Sequence, residues 1–413
     1  MTTSAMTSPL ANYLLFDLDA RLESTPGTTA LRRDLVERSQ RYLDALAQRS
    51  GNDPELEREI AVGLGRLAEV QGGWAMPNVG ERAQARGTFE RAQTMLAALL
   101  QRRPDDWRLH RDLGRLQQRL ADFYGGIDND SRRQLATARE AEAHLRAAVR
   151  HAAGQPARDQ GELHALLNGA RLTQAFAMDW IDEGEAAVAL ARDEEARLLA
   201  LPPALRAEME FEYRVGRSAV QLGDSLYFLN HFGEALDAYR RSQRHYALAL
   251  DATPNHRKLL DASAVSRWGA ALALTELGRH DEALAEIDTA LALDPTNDNA
   301  QRLTLILRSD RSLVLGRLKQ YDEAIALAHD VLRERRARAE RSPDISEPAR
   351  DSVVPLHALA DLYWRKGDVV AACEASRRAI AGWAAFGQRF GLTELDRKQN
   401  AEKEQETARR CTR

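Results

Sequence analysis

The segment 277–295, LGRHDEALAEIDTALALDP, constrains the fold of this chain more than any other part of the sequence. Gly278 can adopt the left-handed backbone conformation that commonly ends a helix. Ala283, Ile287 and Ala290 follow at helical spacing in small, large, small order, which lets two helix backbones approach to about 8–10 Å. Pro295 has no backbone N–H and stops the second helix. The segment therefore predicts the turn and the second helix of a tightly packed helical hairpin.

The same pattern recurs along the chain, and recurrence separates a repeat array from a single helix pair. In the N-terminal half the spacing is looser, but the small, large, small order returns twice. Pro104 and Pro254 lie further beyond their repeat positions than Pro295 does, which predicts that the helices before them are about two turns longer. The recurring residues are Ala85, Phe89 and Ala92; Ala141, Leu145 and Ala148; Leu222, Gly223, Ala235 and Tyr239; Tyr321 and Ala324; and Leu359, Tyr363, Gly367, Ala372 and Ala379.

These residues resemble tetratricopeptide repeats. The resemblance implies an all-α fold, an α-solenoid of tetratricopeptide-like helical hairpins that form a right-handed superhelix. We expect N-terminal capping helices in 1–54, divergent hairpins in 55–202 with a loop insertion near 72–82, four repeats in 203–387, and a C-terminal capping helix and tail in 388–413. Composition agrees, because strong helix formers dominate and no segment alternates β-branched residues at a period of two.

Amphipathic patterns predict the two capping helices. Residues 28–50 are expected to turn one apolar face towards the first hairpin. Residues 391–413 are rich in charged side chains, so we expect a solvated helix whose final turns fray. A helical break is expected at 182–184. The apolar residues of the first capping helix are Leu31, Leu35, Tyr42, Leu43 and Leu46.

Charge and hydropathy argue against several functions. The 58 basic and 62 acidic residues are interspersed and give a net charge of −4, so we expect no nucleic acid partner. The N-terminus does not resemble a secretory signal, and no apolar run of about 18 residues predicts a membrane span. We therefore expect no membrane insertion of this chain, and a cytoplasmic protein if the chain is full length. Cys373 and Cys411 look too far apart to form a disulfide bond.

The first third of the chain resembles the helical region that follows the kinase domain in a group of bacterial receptor-type serine/threonine protein kinases. In that family the region typically lies beyond a transmembrane segment, and this sequence contains neither that segment nor a kinase domain. The chain is then an excised, periplasmic sensor region, a split gene product or a free-standing relative. The matching residues are Leu18, Pro26, Gly27, Thr28, Tyr42, Leu43, Asp53, Pro54, Leu56, Gly72, Pro77, Asn78 and Gly80.

Catalytic motifs are weak. Residues 110–113 spell the HRDL of a kinase catalytic loop, but Gln117 stands where that loop needs an asparagine for magnesium, and no glycine-rich loop precedes it. The four residues also lie in a predicted helix. His144 and His151 are about two helical turns apart and have no accompanying metal-ligand motif. We therefore predict no catalysis, no cofactor and no bound metal.

A ligand groove is the remaining candidate site. In tetratricopeptide arrays the first helices of successive units line a concave surface that meets the ligand, and the resemblance implies the same here. Tyr, Trp and Arg are common interface anchors. Phe228 and Trp268 can equally well pack between repeats, because large apolar side chains are usually buried. The candidate residues are Arg217, Asp224, Tyr227, Phe228, Trp268, Glu276, Arg317, His357, Asp361, Trp364 and Arg365.

These observations predict a scaffold that binds a protein or peptide ligand. The kinase resemblance refines this to a sensing or docking module of a bacterial serine/threonine kinase pathway. One alternative is an enzyme on a helical fold, either a kinase remnant or a metal-dependent enzyme. A second alternative is a structural protein that self-assembles into a homo-oligomer.

Overall fold

The computed structural model describes residues 29–49, 53–73, 81–293, 298–341, 343 and 345–411. Within these ranges all regular secondary structure is helical, and helices that are adjacent in sequence pack on one another. The predicted all-α fold of helical hairpins is confirmed. Pro295 and most of the residues that carry the kinase resemblance lie outside the described ranges.

Internal contacts divide the chain into two compact units, the first ending at Thr173 and the second beginning at Gln174. The turn 128–131 belongs to the second unit. The four-part division expected from the sequence stays a prediction. The boundary falls within the sixth helix. The first six helices are α1 Thr29–Arg49, α2 Pro54–Gly72, α3 Arg82–Arg102, α4 Trp107–Gly126, α5 Ser131–His151 and α6 Ala157–Asp179.

The core of the first unit forms where α1 to α4 pack together. Phe89 and Phe123 are fully buried and meet edge to face, with ring centroids 5.9 Å apart. Helix α1 buries Val36 and Leu43 against this core, whereas Tyr42 is 37% exposed. The expected apolar face is therefore wrong at Tyr42, because the buried stripe follows the spacing of Val36 and Leu43 around the helix.

The second unit contains the regular hairpins. Their helices are α7 Gly184–Leu199, α8 Pro203–Arg206, α9 Phe211–Phe228, α10 Phe232–Ala252, α11 Arg257–Glu276, α12 His280–Leu291, α13 Asp298–Arg317, α14 Tyr321–Arg341, α15 Ser346–Asp351, α16 Val354–Lys366, α17 Val369–Phe390 and α18 Glu394–Arg410. Helices α3 and α10 have 21 residues each and α12 has 12, which confirms the longer helices expected before Pro104 and Pro254.

Close helix packing in the second unit depends on small residues. Ala283, Ile287 and Ala290 are buried, as the sequence predicts. The ring of Tyr239 on α10 lies against two glycines, Gly223 on α9 and Gly269 on α11. A methyl group added at either glycine would lie 2.6 Å and 2.3 Å, respectively, from a ring carbon. These contacts explain why a large residue at the Tyr239 position requires glycine on both neighbouring helices.

The C-terminal helix differs from expectation. Cys373 and Cys411 form a disulfide bond with their Cα atoms 5.6 Å apart, so the expectation of no bridge is wrong. Helices α17 and α18 pack as a hairpin, which brings the first turn of α17 beside the end of α18. The last turn of α18 is thus tied to the fold, although most of its side chains are exposed.

Candidate functional site

First helices of three successive hairpins contribute one set of polar and aromatic side chains. The indole N–H of Trp268 on α11 donates to a carboxylate oxygen of Asp310 on α13, over 2.6 Å. Burial raises the pKa of Tyr227 on α9, and the nearby carboxylates of Glu276 and Asp310 raise it further, while Arg317 lowers it. We call these five residues the central surface. Four of them are sequence candidates, and the structure brings them together.

Two members of the central surface are available to a ligand. Glu276 is exposed and Arg317 is partly exposed. Neither side chain forms a hydrogen bond or ion pair with another residue of the described part of the chain. A carboxylate and a guanidinium beside two aromatic rings can together recognise the backbone and the side chains of a peptide.

Two carboxyls, one in the central surface and one beside it, have raised pKa values. Burial raises the pKa of Asp310 to about 6, although the hydrogen bond from Trp268 and the charge of Arg335 lower it. Burial also raises the pKa of Asp224 to about 7, against the effect of the Tyr239 hydroxyl, which donates to it over 2.7 Å. Asp224 is partly exposed. Both carboxyls therefore change charge near neutral pH.

The candidates on α16 are largely occupied by intramolecular contacts. Arg365 donates to Asp361 over 2.6 Å, one turn away on the same helix. The guanidinium of Arg410 on α18 lies 5.0 Å from the ring centre of Trp364. Burial, together with the charge of Lys403 on α18, lowers the pKa of His357 to about 4. Helix α18 thus covers this part of the predicted groove.

The two remaining candidates both lie on α9, and the ring of Phe228 lies 6.2 Å from that of Tyr227 in the central surface. Arg217 is exposed, with its guanidinium 5.9 Å from the ring centre of Tyr213. Phe228 is 39% exposed and lies 6.2 Å from the ring of Trp180. The candidate residues therefore form several separate groups in the structure, and their role in binding stays a prediction.

Asp310 is a site residue that sequence reasoning missed. When positions are counted back from Ala283 and Ala324, Asp310 falls one residue after the position that corresponds to Trp268. The repeat register therefore selected the residue before Asp310 instead of Asp310 itself. The sequence signal that could have found it is an acidic residue within the first helix of a hairpin. Such a residue is a candidate because a carboxylate that becomes buried on folding rarely lacks a partner.

The HRDL residues are part of a helix, as expected, and lie within α4. Asp112 accepts hydrogen bonds from Arg111, over 2.9 Å, and from Arg58 on α2, over 3.4 Å. These contacts join α4 to α2 and account for the buried carboxylate.

A histidine cluster on α4 and α5 was not expected. The Nδ1 atoms of His110 and His144 are 3.1 Å apart, and the rings of His110 and His151 are stacked with centroids 5.6 Å apart. Across the ranges that the structure covers, no group of three or more His, Cys, Asp or Glu side chains is placed to hold a metal ion. No helix in those ranges is long and apolar enough to cross a membrane.

Comparisons with known proteins agree with the helical-repeat architecture. The tetratricopeptide repeat family model matches residues 265–297, which include the second half of α11 and all of α12. No curated protein matches the chain. A solved structure of a Rap protein complexed with competence and sporulation factor has 10% sequence identity and a TM-score of 0.50, and covers 98% of this chain and 99% of its own. The apo form of the quorum sensor NprR from B. thuringiensis has 12% identity and a TM-score of 0.51, and covers 91% of this chain and 88% of its own.

Proposed function

We propose that the chain is a binding scaffold without catalysis of its own, and that the central surface of the second unit binds an extended peptide segment of a partner protein. The observation that carries the proposal is the convergence of Tyr227, Trp268, Glu276, Asp310 and Arg317 from three successive first helices. Their aromatic rings and charges come from three rigid helices, so a ligand meets a surface that is already organised.

Similar structures support the proposal by analogy. The Rap structure is a complex with competence and sporulation factor, and NprR is described as a quorum sensor. Both share the helical-repeat fold of this chain at low sequence identity. The same fold hosts many functions, so the proposal rests on the residues of the central surface rather than on the likeness.

Selection of binding peptides tests this proposal. Peptides selected from a displayed random library on the wild-type chain would be measured by fluorescence anisotropy against Glu276→Ala combined with Arg317→Ala. Loss of both charged groups should weaken binding by at least about tenfold, because hydrogen bonds to charged groups contribute roughly 1.5–3 kcal/mol.

A matched control removes one acid and one base from second helices. Asp281 on α12 and Arg377 on α17 are both exposed. The variant Asp281→Ala combined with Arg377→Ala should bind the selected peptides like wild type. Equal binding by all three proteins would contradict a peptide site at the central surface.

The finer proposal is that this scaffold serves a bacterial serine/threonine kinase pathway as a sensing or docking module. Its support is the sequence resemblance of the first third of the chain. A kinase reading frame beside this gene, and binding of its product to the purified chain, are the expected results. A neighbouring kinase that fails to bind would contradict the pathway assignment.

The compartment also remains a proposal, with two alternatives. A reducing cytoplasm keeps most thiols free, whereas disulfide bonds persist in oxidising compartments. The bond between Cys373 and Cys411 therefore supports the periplasmic alternative. Free-thiol titration of the protein taken directly from cells tests this, and two free thiols per chain would favour the cytoplasm.

A further inference from the structure

A cleft of roughly 600 Å³ opens in the second unit between residues 182–186 at the start of α7, residues 228–230 at the end of α9, and the first turns of α18. Five acids and one base line the cleft. The base, Lys398, donates to Asp182 over 3.0 Å. The charged residues of the lining are Asp179, Asp182, Glu183, Glu185, Lys398 and Glu402.

Asp179 is the buried carboxyl of this cleft. Its Oδ2 atom accepts from the Gln221 amide and from the Ser225 hydroxyl, each over 2.9 Å. Its Oδ1 atom is buried and has no hydrogen-bond partner in the described ranges, and the whole residue is only 4% exposed. A buried acceptor without a partner is costly, so this atom marks a position for a missing donor.

Protonation explains how Asp179 is tolerated without a ligand. Burial raises the pKa of Asp179 to about 8. The hydrogen bonds from Ser225 and Gln221 oppose this rise, and the charge of Asp224 adds to it. The other charged groups that face the cleft are Lys398 and Glu402 from α18 and the acids of residues 182–186 at the start of α7. A cation placed beside Oδ1 would favour the carboxylate and release the proton.

Aromatic rings complete the cleft. Phe228 presents an exposed ring to it and lies 6.2 Å from Trp180. The guanidinium of Arg350 lies 4.8 Å from the ring centre of Trp180. An aromatic face beside a buried carboxyl suits a planar cation on a hydrocarbon stem, because the ring attracts the charge and covers the stem.

We propose that this cleft binds the arginine side chain of a peptide ligand, with Asp179 as its carboxylate partner and Phe228 against the guanidinium plane. The proposal deepens the proposed function and rests on it. Asp224 lies close enough to influence the charge of Asp179 and belongs to α9, the helix that carries Tyr227. A peptide held at the central surface can therefore place one arginine in the cleft.

The test uses acetyl-Gly-Arg-Gly-amide, the matched peptide with neutral citrulline, and agmatine as a free guanidinium compound. Binding to the full chain would be followed by the NMR signal of the Trp180 indole N–H. The arginine peptide should bind at least about tenfold more tightly than the citrulline peptide. Equal affinity of these two peptides would overturn the charge assignment, and equal affinity of agmatine and the arginine peptide would overturn the peptide source.

Variants locate the site. Asp179→Asn preserves an acceptor for Gln221 and Ser225, so it should fold, and it should weaken the arginine peptide by at least about tenfold. Asp237→Asn changes an exposed acid on α10 and should bind like wild type. Unchanged affinity in Asp179→Asn would overturn the proposal.

Proton release separates a direct role of Asp179 from a structural one. Because burial raises the pKa of the free carboxyl to about 8, affinity for the arginine peptide should rise as the pH increases from 6 towards 8 in wild type, and this rise should be lost in Asp179→Asn. A pH-independent affinity in wild type would contradict this. Library peptides that need Glu276 and Arg317 but tolerate Asp179→Asn would leave the central surface supported and the arginine site refuted.

Discussion

At the scale of single residues, one backbone conformation recurs in the hairpin turns that the structure describes. A residue with positive φ follows the first helix at Asp182, Asn230, Gly278, Lys319 and Gly367. Glycine, asparagine and aspartate tolerate this left-handed conformation, and the sequence signals the turn at those positions. Lys319 is the exception, because a side chain with an ordinary Cβ is strained there.

Lys319→Gly is predicted to stabilise the second unit by about 1 kcal/mol, since glycine removes the steric cost of φ 64°. The side chain of Lys319 is exposed, so little packing is lost. Gly278→Ala, at φ 75°, should destabilise by a similar amount. Urea unfolding of both variants measures the difference, and equal stability of Lys319→Gly and wild type would contradict the strain at this turn.

At the scale of helices, α4 and α5 contact each other through His110 and His144. Protonation of both imidazoles at once is energetically unfavourable. Burial lowers the pKa of His110, and His151 and Arg150 lower it further against the hydrogen bond to Pro104. Burial also lowers the pKa of His144, as does the proximity of His110. The contact between the two helices is therefore more stable when both imidazoles are neutral.

Acidification is predicted to loosen α4 and α5. A base with a lowered folded-state pKa contributes its full stability above its unfolded value, about 6.5, and loses it as the pH falls towards the folded-state value. Hydrogen exchange of α4 and α5 amides at pH 7.5 and 5.5, corrected for intrinsic rates, should show weaker protection at pH 5.5. In His144→Gln this difference should shrink; an undiminished difference would assign it to other groups.

At the scale of the whole molecule, the second compact unit is held together by contacts between its beginning and its last helix. In the second unit the last helix returns to residues near its beginning. The backbone N–H of Leu395 donates to the Trp180 carbonyl over 3.3 Å, and the Asn129 amide donates to the Gly391 carbonyl over 3.2 Å. Arg350 adds a hydrogen bond to the buried carboxylate of Asp396, over 2.9 Å. Helix α18 is thus integrated into this unit by contacts far apart in sequence.

Reduction of the bond between Cys373 and Cys411 is predicted to destabilise this unit. The cysteines are 38 residues apart, and the chain-entropy relation for a loop of that length corresponds to at most about 4 kcal/mol. The melting temperature should fall when dithiothreitol is added. Cys373→Ser combined with Cys411→Ser should melt at the lower temperature with or without the reductant. A wild-type melting temperature that ignores the reductant would contradict a stabilising bond.

The sequence by itself determined the helices, the hairpin turns and the small residues at close contacts. Gly278, Ala283 and the longer helix before Pro254 could be predicted because their signals are local: backbone preference, helical periodicity and helix stops. The same register placed Tyr227, Trp268, Glu276 and Arg317 on first helices.

Only the tertiary structure decided which of these side chains meet and which are covered. The partnership of Trp268 with Asp310, the buried carboxyl of Asp179 and the bond between Cys373 and Cys411 each join segments that are distant in sequence. Such contacts depend on the rotation and offset of one helix against another. A shift of one residue turns a helical side chain by about 100°, so a pattern within one helix does not specify its partner on the next.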